Sequence, residues 1–155
     1  PDEDAKLNLI GFNTLLHNLF KITTNAQDVF SVLERMKKQG VEPDSYTINS
    51  TIRALSRVST HFEITYSIVT ALMTKDINCL APELVLLKDA ISIEMTRKTD
   101  CLTIAISIDL CKWAHNASKH KIWLRRARDV WTYAHSPAGP SVINANCLTS
   151  LCEFM

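Results

Sequence analysis

Glycine and proline are scarce, three of one and five of the other in 155 residues, too few to punctuate the short strands and tight turns of a sandwich or barrel. Good helix formers fill the remainder, so an all-α chain is expected. Charge of one sign is lacking as well. Seventeen Lys and Arg against sixteen Asp and Glu leave a net charge of +1. This excludes a uniformly basic nucleic-acid binder and requires any basic surface to be local. Long apolar runs are missing, because Lys88, Glu94, Asp109 and Lys112 interrupt the most apolar region. No stretch reaches the ~18 to 20 residues that span a bilayer, so a membrane is not an expected partner. The cysteines Cys79, Cys101, Cys111, Cys147 and Cys152 are odd in number and form no C-x-x-C pair. They read as free thiols in a reducing compartment rather than as a disulfide framework.

Apolar residues make up 46% of the chain, enough for the core of one ordinary domain. Their spacing is helical throughout. Phe12, Leu15, Leu16, Leu19 and Phe20 mark a first helix. A second is capped by Thr24 or Asn25, carries Val29, Val32, Leu33 and Met36 inward, and stops at Gly40. Pro43 blocks continuation. A third begins near Ser45 with Ile48, Ile52 and Leu55 inward, and a fourth near Thr60 with Ile64, Ile68, Ala71 and Leu72. Further segments follow Pro82 (Leu84, Leu87, Ile91, Met95), Asp100 (Leu102, Ala105, Ile106, Leu110, Trp113), Lys119 (Trp123, Ala127, Val130, Trp131, Ala134) and Pro140 (Ile143, Cys147, Leu151, Phe154). Seven to eight helices are therefore expected.

These segments repeat. "FNTLLHNL" at 12–19 and "INSTIRAL" at 48–55 lie 36 residues apart. Pro43, Pro82 and Pro140 each precede an acidic or small polar residue (Asp44, Glu83, Ser141), and six residues after each Pro stands a polar side chain: Asn49, Lys88, Asn146. Asn13 is the counterpart in the first unit. A lone hairpin cannot bury both faces of its helices, so tandem hairpins stack into an α-solenoid. The expected units are 9–44, 45–83, irregular repeats over 84–140, and the start of another at 141–155. Pro43 to Pro82 is 39 residues and Pro82 to Pro140 is 58, so either one unit carries an extra helix or Asp100 opens a repeat without a Pro corner. The chain begins "PDEDAK" and stops at "LCEFM" inside a periodic segment, as a fragment of a longer array would.

"GFNTLLHNLFK" followed by "DVFSVLERMKKQGVEPDSYTINSTI" resembles the pentatricopeptide repeat signature. The likeness is close over 9–56, fair to about 75, partial over 81–92 and 124–152, and poor between 93 and 118. The resemblance implies binding of single-stranded RNA, roughly one base per repeat; no cofactor is expected. It implies reading pairs Asn13 with Asp44 and Asn49 with Glu83, with Asn146 left without its partner and Lys88 departing from the family's usual Asn, Ser or Thr. An Asn and Asp pair is associated in the family with uridine. It further implies a mitochondrial or plastid location, in RNA metabolism or translation.

From the residues alone, an Asn in a first helical turn is more often a cap, and its recurrence after each corner makes base reading an equal alternative. "KHKIWLRRAR" at 119–128 contains Lys119, Lys121, Arg125, Arg126 and Arg128, which either clamp RNA phosphates or form the solvated face of a helix whose Trp123 and Trp131 are core. Cys111 and His115 are one turn apart, but a zinc site needs further ligands, so no metal is expected there. No Gly-rich phosphate loop, H-E-x-x-H or G-x-S-x-G occurs, and no enzyme is expected. Two functional readings stay open. One is an RNA reader; the other is a scaffold among the proteins and rRNA of a ribonucleoprotein such as a mitochondrial ribosome or its assembly intermediate.

Overall fold

The computed structural model describes residues 7–22 and 25–140. Asn146 and the segment expected after Pro140 lie outside the described residues, as does Thr24. The described residues contain seven α-helices, short 3-10 turns and no strand, so this part of the chain is all-helical. None of these helices is long and apolar enough to cross a membrane.

Helix α1 (Leu9–Ile22) starts after Asn8, whose side chain accepts from the Gly11 N–H at 2.9 Å while its carbonyl accepts from Phe12 N at 3.1 Å. Those two bonds satisfy donors that a helix start otherwise leaves orphaned. Helix α2 (Ala26–Lys38) is capped by Asn25, which accepts from Gln27 N. It ends as expected at Gly40, whose φ of +68° lets Gly40 N and Val41 N reach back to the carbonyls of Lys37 and Met36. Helix α3 (Ser45–Leu55) follows the Pro43 corner, and α4 (Phe62–Thr74) follows a 3-10 turn at Ser59–His61. Then come 3-10 turns at Ile77–Cys79 and Pro82–Leu87, the short α5 (Lys88–Glu94), α6 (Cys101–Ser118) and α7 (Ile122–Ala134).

Packing sorts these elements into two layers. Helices α1, α3 and α6 lie side by side, α3 being central. Helices α2, α4 and α7 return as the second helix of each hairpin; α6 and α7 are the most extensively packed of the pairs. The core runs through both layers, from Phe12, Leu16 and Met36 through Ile52, Leu55 and Ile68 to Ile104, Ile108 and Val130. This is the stacking of a helical-repeat solenoid.

The third hairpin is α6–α7, opened by Asp100 without a Pro corner. Residues 75–99 form an extra piece that packs α5 on α3 and α4 and brings the 82–87 turn to α2. Both irregularities allowed by the Pro spacing therefore occur together. Leu84, Leu87 and Ile91 are buried as the periodicity requires, yet this short helix is not the first helix of a repeat. On α6 the expected inward stripe shifts. Leu102 and Trp113 are 42% and 38% exposed, while Ile104, Ile108 and Cys111 are buried. That helix is apolar around most of its circumference, being packed on α3, α4 and α7, so periodicity could not single out one face.

Candidate nucleic-acid interface

The start of each helix in the first layer has a cap and a partly or wholly buried position at the same offset from it. Asn8, Asp44 and Asp100 are the caps, and Asn13, Asn49 and Ala105 stand five residues beyond them. Asn8 to Asp44 spans 36 positions and Asp44 to Asp100 spans 56, so the spatial repeat survives an inserted segment that hides it in sequence.

At the first junction, Asp44 Oδ1 accepts from Thr47 N at 3.0 Å and from Asn13 Nδ2 at 3.1 Å. Thr47 Oγ1 lies 2.7 Å from Asn13 Oδ1 and 3.0 Å from Asp44 Oδ1, and it accepts from Asp44 N at 3.0 Å. A hydroxyl has one proton, and the shorter contact gives it to Asn13. Asp44 and Thr47 form a reciprocal capping box on α3, and Asn13 reaches it from α1. The cap and the candidate reader are thus one network.

The second junction repeats the Asp cap and the Thr-to-Asn bond, without the reciprocal box or the Asn-to-Asp bond, and with different partners from those the Pro corners suggest. Asp100 Oδ1 accepts from Thr103 N at 2.8 Å, and Thr103 Oγ1 reaches Asn49 Oδ1 at 2.9 Å. Asn49 is thus bonded by Thr103, on the helix that Asp100 caps, rather than by Glu83. Glu83 is exposed on the 82–87 turn, lining a groove against Lys37 and Lys38 of α2. Lys88 is exposed at the start of α5, outside the first layer. The inserted segment also changes accessibility. Glu94 and Thr99 close a water-sized polar cavity beside Asn49 with Ser45 and Thr103, and Asn49 is only 6% exposed. Asn13 is half-buried, and the third position is Ala105, which is buried.

Sequence reasoning missed a set of residues that the geometry lines up. Ile10, Tyr46 and Leu102 each stand two residues after their cap and are 74%, 65% and 42% exposed. Ile10 and Tyr46 are three residues before Asn13 and Asn49, on the same helix face. The signal is present at the shared offset from Asn8, Asp44 and Asp100, but Asn8 is not among the caps expected from the sequence.

The basic run divides. Lys119, Lys121, Arg125 and Arg128 are exposed, on or beside the second-layer helix α7. Arg126 is committed elsewhere. Its guanidinium stacks 4.4 Å from the Trp123 ring centroid and 4.7 Å from that of Tyr66, and pairs with Glu63 of α4 at 2.9 Å. Trp123 is core, packed edge-on against Phe62 and Tyr66, while Trp131 is half-buried.

Among the described residues no three His, Cys, Asp or Glu side chains gather where a metal ion would bind. Cys111 is buried on α6, and burial pushes its thiol from the usual value of 9.0 up to about 12. Burial likewise raises the Tyr66 phenol. Both groups are neutral in the fold and charge more readily once unfolded, so the unfolded chain binds fewer protons above pH 9 and stability falls as pH climbs from there. At pH 8, Cys79 and Cys101, both half-buried, are expected to react with iodoacetamide in the folded chain. Cys111 is expected to react only after unfolding, which peptide mass mapping with and without urea will test.

No curated protein and no solved structure matches the chain, whereas residues 7–57, which hold α1, α2, α3 and the first junction network, match the PPR repeat family, a family of RNA-binding helical repeats.

Proposed function

We propose that the chain binds single-stranded RNA along its first helical layer, with Asn13 of the first hairpin as the open base-reading position. One observation carries this reading. The junction network uses one N–H and one lone pair of the Asn13 amide, and an amide has two of each. A donor and an acceptor remain on a half-exposed side chain that is held in place before any base arrives, the arrangement a Watson–Crick edge requires. Exposed Ile10 and Tyr46 supply apolar surface beside it for a base to stack on. Exposed Lys119, Lys121, Arg125 and Arg128 are candidates for sequence-independent phosphate contacts. The family's usual setting makes a mitochondrion or plastid the proposed location.

A second reading has its own support. With Asn49 under the inserted segment and Ala105 at the third position, the described residues offer one open reader. That is too little sequence information for a stand-alone specificity factor. It suits a scaffold that holds rRNA and protein neighbours within a ribonucleoprotein.

Fluorescence anisotropy with labelled ten-nucleotide homopolymers separates the two. Asn13→Ala is expected to weaken the preferred oligonucleotide about tenfold. Asn49→Ala is expected to leave affinity within about twofold and to act on stability through Thr103. If Asn13→Ala leaves both affinity and base preference unchanged, base reading is lost. Weak RNA binding with stable co-purification in a large particle would favour the scaffold.

A further inference from the structure

A cleft of about 250 Å³ opens between the C-terminal halves of α1 and α3 and the middle of α6, lined by Phe20, Arg53, Ser56, Ile106, Asp109 and Trp113. Arg57 lies at its rim. Its guanidinium is 5.0 Å from the Trp113 ring centroid and 5.6 Å from that of Phe20, and Arg53 is 5.8 Å from Phe20. Arg57 is thus held between aromatic rings contributed by two different helices, and Arg53 lies over one of them. Stacking fixes the plane of a guanidinium while leaving its N–H edge for hydrogen bonds. The hydrogen bond from Arg57 Nη1 to the Phe20 carbonyl is long, at 3.5 Å, and Arg57 is exposed.

We infer that this cleft is a docking site for one nucleotide of a single-stranded nucleic acid, its base stacked at Trp113 and its phosphate held by Arg57 with Arg53. The inference rests on the RNA-binding reading above and adds a site to it. Three observations converge. Arg53, in the last turn of α3, and Ser56 and Arg57, just past its end, stand four, seven and eight residues beyond Asn49, which places them at the C-terminal end of that helix. A strand passing Asn13 and Asn49 therefore has the cleft about 12 Å further along the α3 axis. Next, the cleft joins what a nucleotide needs: aromatic surface tolerant of any base and cations for a phosphate, with the Asp109 carboxylate lining the wall. The phosphate then belongs at the Arg57 rim rather than against Asp109.

Finally, the site is singular. The positions equivalent to Arg57 are Lys21 and Trp113, and those equivalent to Phe20 are Ser56 and Lys112. It is assembled once, from three helices with different residues, and is no copy of a repeated reading position. Trp113 remains 38% exposed, a large aromatic surface left uncovered on the layer that carries the readers.

The test uses the full chain, labelled ten-nucleotide RNA and anisotropy, with Arg57→Ala, Arg57→Lys, Trp113→Ala and Asn13→Ala. Arg57 and Trp113 are exposed and Asn13 is half-buried, and a thermal melt of each variant checks the fold. Arg57→Ala and Trp113→Ala are each expected to weaken binding roughly five- to tenfold. Arg57→Lys should recover less than half of the loss, because an ammonium keeps the charge and loses the stack. The slope of log affinity against log salt should fall by about 1 for Arg57→Ala and stay unchanged for Trp113→Ala. If Asn13→Ala weakens binding while Arg57→Ala and Trp113→Ala bind as wild type, the cleft is refuted and the reading at Asn13 stands. If the cleft variants weaken binding and Asn13→Ala does not, the cleft stands and base reading falls. Absence of RNA binding by the wild type overturns both, and equal affinity for inorganic polyphosphate and RNA overturns the stacked base.

Discussion

Trp123→Ala is expected to destabilise the chain by about 3 to 5 kcal/mol, a large share of the ~5 to 15 kcal/mol that holds a typical domain together. The ring is buried at the meeting of α7 and α4, edge-on to Phe62 and Tyr66 at 6.0 and 5.7 Å. Removing it leaves a cavity and also withdraws the surface on which Arg126 lies. Arg126 then faces Glu63 across a looser site, so the variant loses packing and part of a positioned ion pair together. Urea unfolding followed by circular dichroism measures the shift. A loss below about 1 kcal/mol would contradict the assignment of Trp123 to the core and revive a role for it at the RNA surface.

Asp44→Ala is the second large effect, with an expected cost of about 2 kcal/mol. Its Oδ1 receives Thr47 N and Asn13 Nδ2, so the substitution removes a helix cap and strips a half-buried amide of its partner. Thr47 is fully buried, which limits rescue of its freed N–H by water. The cost should shrink when Asn13 is already Ala, by about 1 kcal/mol in a double-mutant cycle, because the two residues share one network. Strict additivity would show that Asn13 is not energetically joined to the cap. The functional consequence follows the same geometry. Asp44→Ala releases the Asn13 side chain from its fixed position and should weaken RNA binding along with stability.

The first two hairpins were legible in the sequence, for reasons that particular residues make plain. Gly40 and Pro43 force a stop between α2 and α3, and Ile48, Ile52 and Leu55 repeat the spacing of Phe12, Leu16 and Leu19. All six are buried. The third hairpin was harder to see because its corner contains no Pro. Asp100 and Thr103 reproduce Asp44 and Thr47, but two residues are a faint signal when displaced by twenty positions. The Pro82 corner is a stronger cue in sequence, and it opens a 3-10 turn instead of a repeat. Leu102 and Trp113 were assigned inward because α6 is apolar on nearly every side, and burial there is decided by which neighbours pack against it. The Asn49 partner could not be found by counting. It depends on tertiary stacking of α6 on α3, with residues 75–99 set aside.

The junction networks bear on how the array comes apart. Asp44 caps α3 but holds a residue of α1, and Thr103 belongs to the start of α6 but holds a residue of α3. Each bond set therefore contributes to the coupling between neighbouring hairpins as well as to one helix. In a linear chain of units, stability divides into what each unit has alone and what it gains from its neighbour. The bonds that cross to the neighbour, Asn13 to Asp44 and Thr103 to Asn49, raise the cooperativity of unfolding, while the caps themselves stabilise their own helices. A hairpin that separates from its neighbour loosens the first turn of a helix along with the interface. Partial unfolding from either end therefore costs more than the buried apolar surface alone would indicate.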